Sequence, residues 1–122
     1  MAGLSGFGEA LILTPLTTGG YISLHTADPG NTGSNEITGN GYARQGPVAF
    51  TNAGANPTVA SNSAIVSYPP ATANWGTITH YGLWDALTAG DYRGSGALTT
   101  AKAVNAGDTA RFVAGALTIT AQ

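Results

Sequence analysis

Two histidines, six carboxylates and four basic side chains are, tyrosines aside, the ionisable chemistry of this 122-residue chain. His25 and His80, with Asp28 close behind the first, would make a minimal metal set if the strands carrying the two imidazoles lie side by side. Each histidine falls inside a stretch of β-type sequence, where a hydrogen-bonded, half-buried imidazole is the commoner role. Asp28, Asn31, Asn35 and Glu36 offer oxygen ligands in a glycine-rich loop, but their spacing is not that of a calcium loop, and turn formation accounts for them. Asp85 and Asp91 flank a turn. A glycosidase pair would have to face across a groove, and the sequence does not place these two there. The nucleophile elbow, phosphate loop and dinucleotide fingerprint are missing despite 18 glycines. No catalytic residue, metal site or cofactor is expected. What remains is recognition chemistry. Arg44, a charge inside a predicted strand, can pair with Glu36 or Asp85, or reach a glycan or carboxylate. Trp75, Tyr81, Trp84 and Tyr92 can stack on a sugar ring. Arg44, Tyr81 and Trp84 are the candidate ligand contacts.

The elements that must position these groups are mostly strands. Residues 75–85 hold both tryptophans and are rich in aromatic and β-branched types, which fit a pleated, half-buried surface. Alternation puts Ile78, His80, Gly82 and Trp84 on one face and Thr77, Thr79, Tyr81 and Leu83 on the other. Neither face is purely polar, so a central strand covered on both sides is predicted. Further strands are expected at 21–26, 42–51 with a kink at Gly46-Pro47, around Val59, and at 64–68, 92–100, 102–104, 110–113 and 116–120. Residues 27–41 form a long polar loop, which suits a functional segment or one held in an assembly. Asn105-Ala-Gly-Asp108 reads as a hairpin-type turn. The one helical candidate is 5–14, capped by Ser5, with Leu4, Phe7 and Leu11 on one side and Pro15 ending it. The fold class is therefore all-β: an antiparallel β-sandwich or partly open barrel with one short N-terminal helix. Residues 1–18 are read as a helical attachment segment and 19–122 as a single β-domain.

Composition narrows the partners. Only 8% of residues are charged, against roughly 25% in ordinary soluble domains, and the net charge is −2. The basic residues are scattered, so no nucleic-acid interface is expected. Cysteine is absent, which excludes a disulfide framework and a thiolate nucleophile. There is no signal-peptide pattern and no apolar run long enough for a membrane span, so no membrane partner is expected. A surface this poor in charge suits a subunit whose exterior is covered by neighbours.

Several phrases in order carry a resemblance: Tyr-Ile-Ser-Leu-His-Thr-Ala-Asp-Pro-Gly at 21–30, Gly-Tyr-Ala-Arg-Gln at 41–45 and Trp-Gly-Thr-Ile-Thr-His-Tyr-Gly-Leu-Trp-Asp-Ala at 75–86. Gly-Ala-Leu-Thr-Thr-Ala-Lys at 96–102, Asn-Ala-Gly-Asp-Thr at 105–109 and Phe-Val-Ala-Gly-Ala-Leu-Thr-Ile-Thr at 112–120 complete it. Over nearly its whole length the chain resembles small virion proteins of tailed bacteriophages, commonly labelled tail fibre proteins. The resemblance implies a non-enzymatic structural protein, made in the host cytoplasm and displayed in many copies on the capsid or tail. It implies other virion proteins as partners, and a receptor- or carbohydrate-binding module is the alternative. A homo-oligomer, in the form of a trimer, is expected. Phe7, Leu11 and Leu13, with Asp28, Asn31 and Glu36 of the polar loop, are the candidate assembly contacts.

Overall fold

The computed structural model describes residues 20–53 and 58–121, and all statements below concern these. The strands are β1 (Gly20–His25), β2 (Gln45–Val48), β3 (Phe50–Ala53), β4 (Thr58–Asn62), β5 (Val66–Ser67), β6 (Gly76–Trp84), β7 (Tyr92–Val104), β8 (Arg111–Phe112) and β9 (Thr118–Ala121). They form three antiparallel sheets with orders β2-β1-β6-β7, β3-β4-β9 and β5-β8. None closes into a barrel, and the described residues contain no helix. The helix expected at 5–14, and with it Phe7, Leu11 and Leu13, lies outside the described residues.

β1 and the second half of β6, at the centre of the four-stranded sheet, are covered on both faces, as the mixed character of residues 75–85 predicts. Alternation in β1 sends Ile22 and Leu24 into the apolar core and Ser23 and His25 to the other side, and all four are fully buried. The core joins them to Ile78, Tyr81 and Leu83 of β6, to Val66 and Phe112 of the two-stranded sheet, and to Tyr68, Trp75 and Leu117. Each fully buried aliphatic side chain contributes about 1.5–3 kcal/mol relative to exposure. An aromatic group closes one side of this core. Trp75 meets Tyr42 edge-on at 5.5 Å and Tyr68 at 6.4 Å, and Tyr68 meets Phe112 at 6.0 Å.

Strict alternation does not survive along β6. Ile78 shares the core with Tyr81 and Leu83, rather than a face with His80, Gly82 and Trp84. The change of face falls at an irregularity of the β6–β7 ladder. Ile78 pairs with Lys102 but His80 pairs with Ala97, so β7 carries extra residues between these rungs. A second difference concerns residues 42–51. They form two strands in different sheets, because the chain leaves the edge of the main sheet after β2 and enters the three-stranded sheet at β3. Pro47 sits in β2, the edge strand, where a missing N–H is tolerated. Residues 92–104 are one strand, β7, rather than two. The Asn105–Asp108 turn forms, with Asp108 N–H donating to Asn105 O at 2.9 Å, but it hands the chain to β8, which pairs with β5 and not with β7.

Directional side-chain bonds tie the sheets together. The Tyr81 hydroxyl accepts Thr118 N–H at 2.7 Å and donates to Thr118 O, reaching from β6 to the backbone of β9. Gly96 makes that path possible, since a Cβ there would lie 2.4 Å from the Tyr81 hydroxyl. Asn62, 2% exposed, accepts Leu117 N–H at 2.9 Å and donates to Ala64 O and Val113 O at 2.9 and 3.0 Å.

Candidate functional site

Most of the chemistry-bearing residues gather on the second face of the main sheet, under the 26–44 segment. That segment is folded back tightly. Thr26 N–H donates to Asn35 O, Ile37 N–H to Leu24 O, and both Gly33 and Ser34 donate to Pro29 O. Gly33 has φ +77° and lies against the Trp84 ring, where a Cβ would be 2.4 Å from a ring carbon. The loop is thus a lid over Ser23, His25 and Trp84, which accounts for its length.

His25 and His80 are direct partners across β1 and β6. They do not make a metal site, and no group of three ligating side chains occurs among the described residues. The Ser34 carbonyl, 2.7 Å from His25 Nδ1, can only accept, so Nδ1 carries the proton. Nε2 then accepts from Ser23 Oγ at 2.7 Å, and that oxygen accepts Trp84 Nε1–H at 2.9 Å. Every donor in this relay has an acceptor only while the imidazole is neutral. Burial depresses the His25 pKa below its ordinary value, outweighing the Ser34 carbonyl and the Glu36 charge, which pull it up. His80 bonds to Thr79 Oγ1 at 2.8 Å.

Beside this relay, Arg44 pairs with Glu36, one of the two acids the sequence offers it. Nε and Nη2 donate to the two carboxylate oxygens at 2.9 Å each, and Nη1 donates to Ala86 O and Ala89 O at 3.0 and 2.8 Å. The guanidinium lies over the Trp84 ring, 3.8 Å from its centroid. Tyr42 donates to Glu36 at 2.7 Å and accepts Leu24 N–H. Burial raises the Glu36 pKa, but the Arg44 and Tyr42 hydrogen bonds outweigh it, and the carboxyl ends below its ordinary range. Tyr42 is pushed far up by burial and by the Glu36 carboxylate.

The expected ligand contacts therefore occupy positions inside the fold. Arg44 is 8% exposed with most of its donors used, and Tyr81 is 2% exposed with its hydroxyl on Thr118. Trp84 is half-buried between Arg44, Gly33 and Tyr92, whose ring is 5.2 Å away. Trp75 is buried, with Nε1 on Asn40 O. No open aromatic platform results. Of the expected assembly contacts in the loop, Asp28 and Asn31 are exposed, and Asp28 accepts Gly30 N–H at 2.9 Å in a turn. Glu36 is committed to Arg44. Asp85 accepts Asp91 N–H at 2.7 Å, closing the β6–β7 turn rather than facing a second acid.

Two residues that the sequence reading passed over come together elsewhere. Lys102 of β7 and Arg111 of β8 line an open groove of about 460 Å³ with Leu98, Phe112 and Val113. Their positions on either side of the Asn105–Asp108 turn were the available signal, but the strand partners were needed to read it.

No curated protein matches this chain. Residues 8–120 match the family described as podophage GP4 fiber I protein gp80. The all-β architecture of the described residues agrees with that match, and the resemblance seen in the sequence points the same way. The chain belongs to the Gp80 fibre-protein family and is a phage tail fibre-related structural component of the virion.

Proposed function

We propose that the chain is a multi-copy, non-enzymatic surface module of a tailed-phage particle, seated on the fibre apparatus that the family description points to. Residues 19–122 act as one β-domain, and residues 1–18 act as the attachment segment. The observation that carries this reading is the state of the sheet edges. β7 runs for 13 residues at the end of the main sheet, and among the described residues no strand pairs with its outer side. Natural edges are guarded by charge, proline or bulges. β7 has no proline, and Arg93, Lys102 and two irregularities in its ladder, opposite Ile78–His80 and Leu83–Trp84, guard only part of its length. Ile65, Leu87 and Val113 add exposed apolar surface, at 55, 50 and 65%. Such a surface suits a homo-oligomer in which copies cover one another, with a trimer as the expected form. Mass identification of proteins in purified virions tests the assignment, and quantified copy number separates a fibre site (a few per particle) from a shell lattice (hundreds). Absence from particles overturns it.

A second reading, a carbohydrate-binding module of the fibre, is favoured by the groove at Lys102 and Arg111. A glycan array probed with the full chain tests it, and no binding to any glycan overturns it.

A further inference from the structure

The four basic residues are used unevenly. Arg44 is sealed in its pair with Glu36. Arg93 has an interaction partner of its own. Lys102 and Arg111 both line the groove between β7 and β8, and no carboxylate lines it. Half of the chain's basic side chains thus meet at one concave site, on a protein of net charge −2.

The groove is built in layers. Its floor is Phe112, itself 5% exposed, with Leu98 packed against the core beside it. Lys102 lies over that floor, its Nζ 5.3 Å from the Phe112 ring centroid. It donates one N–H to Arg111 O at 3.3 Å, which leaves two for another acceptor. Arg111 is exposed, and its guanidinium makes no hydrogen bond or ion pair among the described residues. Val113 forms an apolar rim, and Thr99, Thr100 and Thr118 are among the lining residues.

We propose that this groove binds a carboxylate-bearing sugar unit of a cell-surface polysaccharide. Arg111 grips the carboxylate with its planar fork, Lys102 supplies a second charge-assisted bond, the apolar sugar face lies on Val113 and the Phe112 edge, and the threonines meet the ring hydroxyls. The volume falls in the range of small-molecule sites. A polyphosphate or nucleic-acid strand would need a longer run of cations than two. The proposal rests on the carbohydrate-binding reading and gives it a place and a ligand class.

The test is a titration of the isotope-labelled full chain, followed by amide NMR shifts, with trigalacturonate as probe. Its neutral methyl ester, a glycerol-phosphate oligomer and a hexaglutamate peptide serve as the other arms. The expected result is saturable shifts at residues 98–102 and 111–118 with trigalacturonate, little response to the methyl ester, and weakening as salt rises. Lys102→Gln and Arg111→Gln should each lower affinity by about threefold to tenfold, with thermal midpoints unchanged. Equal binding of the methyl ester, or tighter binding of the phosphate oligomer or the peptide, overturns the carboxylate-sugar assignment. Shifts centred on Trp84 and Tyr92 instead would overturn this groove while leaving sugar binding in place. No response to trigalacturonate, with a positive glycan array elsewhere, likewise refutes the groove alone; silence in both refutes the carbohydrate reading with it.

Discussion

Glu36→Gln changes shape very little and removes one charge, so it isolates what the pair with Arg44 contributes. In the native protein both carboxylate oxygens accept from the guanidinium at 2.9 Å, and Tyr42 adds a third donor. Glutamine keeps one acceptor and turns an NH₂ towards a guanidinium N–H. Arg44 would then sit 8% exposed with one amide oxygen, two backbone carbonyls and the Trp84 ring, and no counter-charge. Removing one partner of a fully buried pair costs about 3–5 kcal/mol. The Glu36 side chain is 18% exposed and the carbonyl and ring contacts persist, so the expected loss is about 2–3 kcal/mol. For a domain of this size that is roughly an 8–12 °C fall in melting temperature. Urea unfolding followed by tryptophan fluorescence reads it directly, since Trp84 lies under the guanidinium. Arg44→Met and the double variant complete a cycle, in which the double should lose at least about 1 kcal/mol less than the sum of the singles. A Glu36→Gln loss below about 0.5 kcal/mol would refute the idea that this ion pair holds the loop to the sheet.

Tyr81→Phe should cost about 1–3 kcal/mol by chemical denaturation, because it strands the Thr118 N–H and carbonyl that the hydroxyl serves. Tyr92→Phe should be neutral or stabilising in the same assay, since the Tyr92 hydroxyl is buried without a partner among the described residues. Gly96→Ala should lower stability by about 1–3 kcal/mol in thermal melts, as its Cβ meets the Tyr81 hydroxyl at 2.4 Å. Stability should also fall as pH drops below about 6.5, the ordinary histidine value. His25 faces Glu36, Arg44 and His80, and its folded pKa is depressed, so the unfolded chain binds the proton first and acid favours unfolding. Glu36, also depressed, adds a further loss at more acidic pH, as its carboxylate is protonated. His25→Gln should flatten the slope between about pH 6.5 and 5 in denaturant titrations at stepped pH.

How much of this was legible in the sequence depended on how far apart the interacting residues lie. Strand positions came from local pattern, and β1, β6 and the 26–44 loop fall close to where the pattern puts them. The two-sided burial of β6 was legible because Trp84 and His80 alternate with Tyr81 and Leu83. Its loss of phase was not, because it falls at an irregularity that only the pairing with β7 reveals. Glu36 was one of two acids named for Arg44, and only the fold of the loop could choose between them. Tyr81 reads from sequence as an aromatic open to a ligand. Its hydroxyl instead serves Thr118, 37 residues on, through a gap that Gly96 leaves. The split of residues 42–51 between two sheets hinges on strand partners that alternation does not encode.

The three sheets share no common ladder, so something other than backbone pairing must fix their mutual orientation. Apolar contact alone resists separation but tolerates sliding, whereas a buried hydrogen bond has a direction and a high cost if left unmade. The Tyr81 hydroxyl fastens the main sheet to β9, Asn62 fastens β4 to the segment after β8, and the Tyr68 hydroxyl donates to Ile22 O at 2.8 Å, fastening the end of β5 to β1. In each case a side chain from one sheet or its flanking segment bonds to the backbone of another. The same logic explains where the polar chemistry went. With 8% charged residues, the chain places the Arg44–Glu36 ion pair and His25 inside, holding a long loop against a sheet. The consequence is a module whose open edge at β7 and groove at Lys102 and Arg111 keep a fixed relation to each other. Both the proposed contact between copies along β7 and the proposed ligand groove would depend on that rigidity.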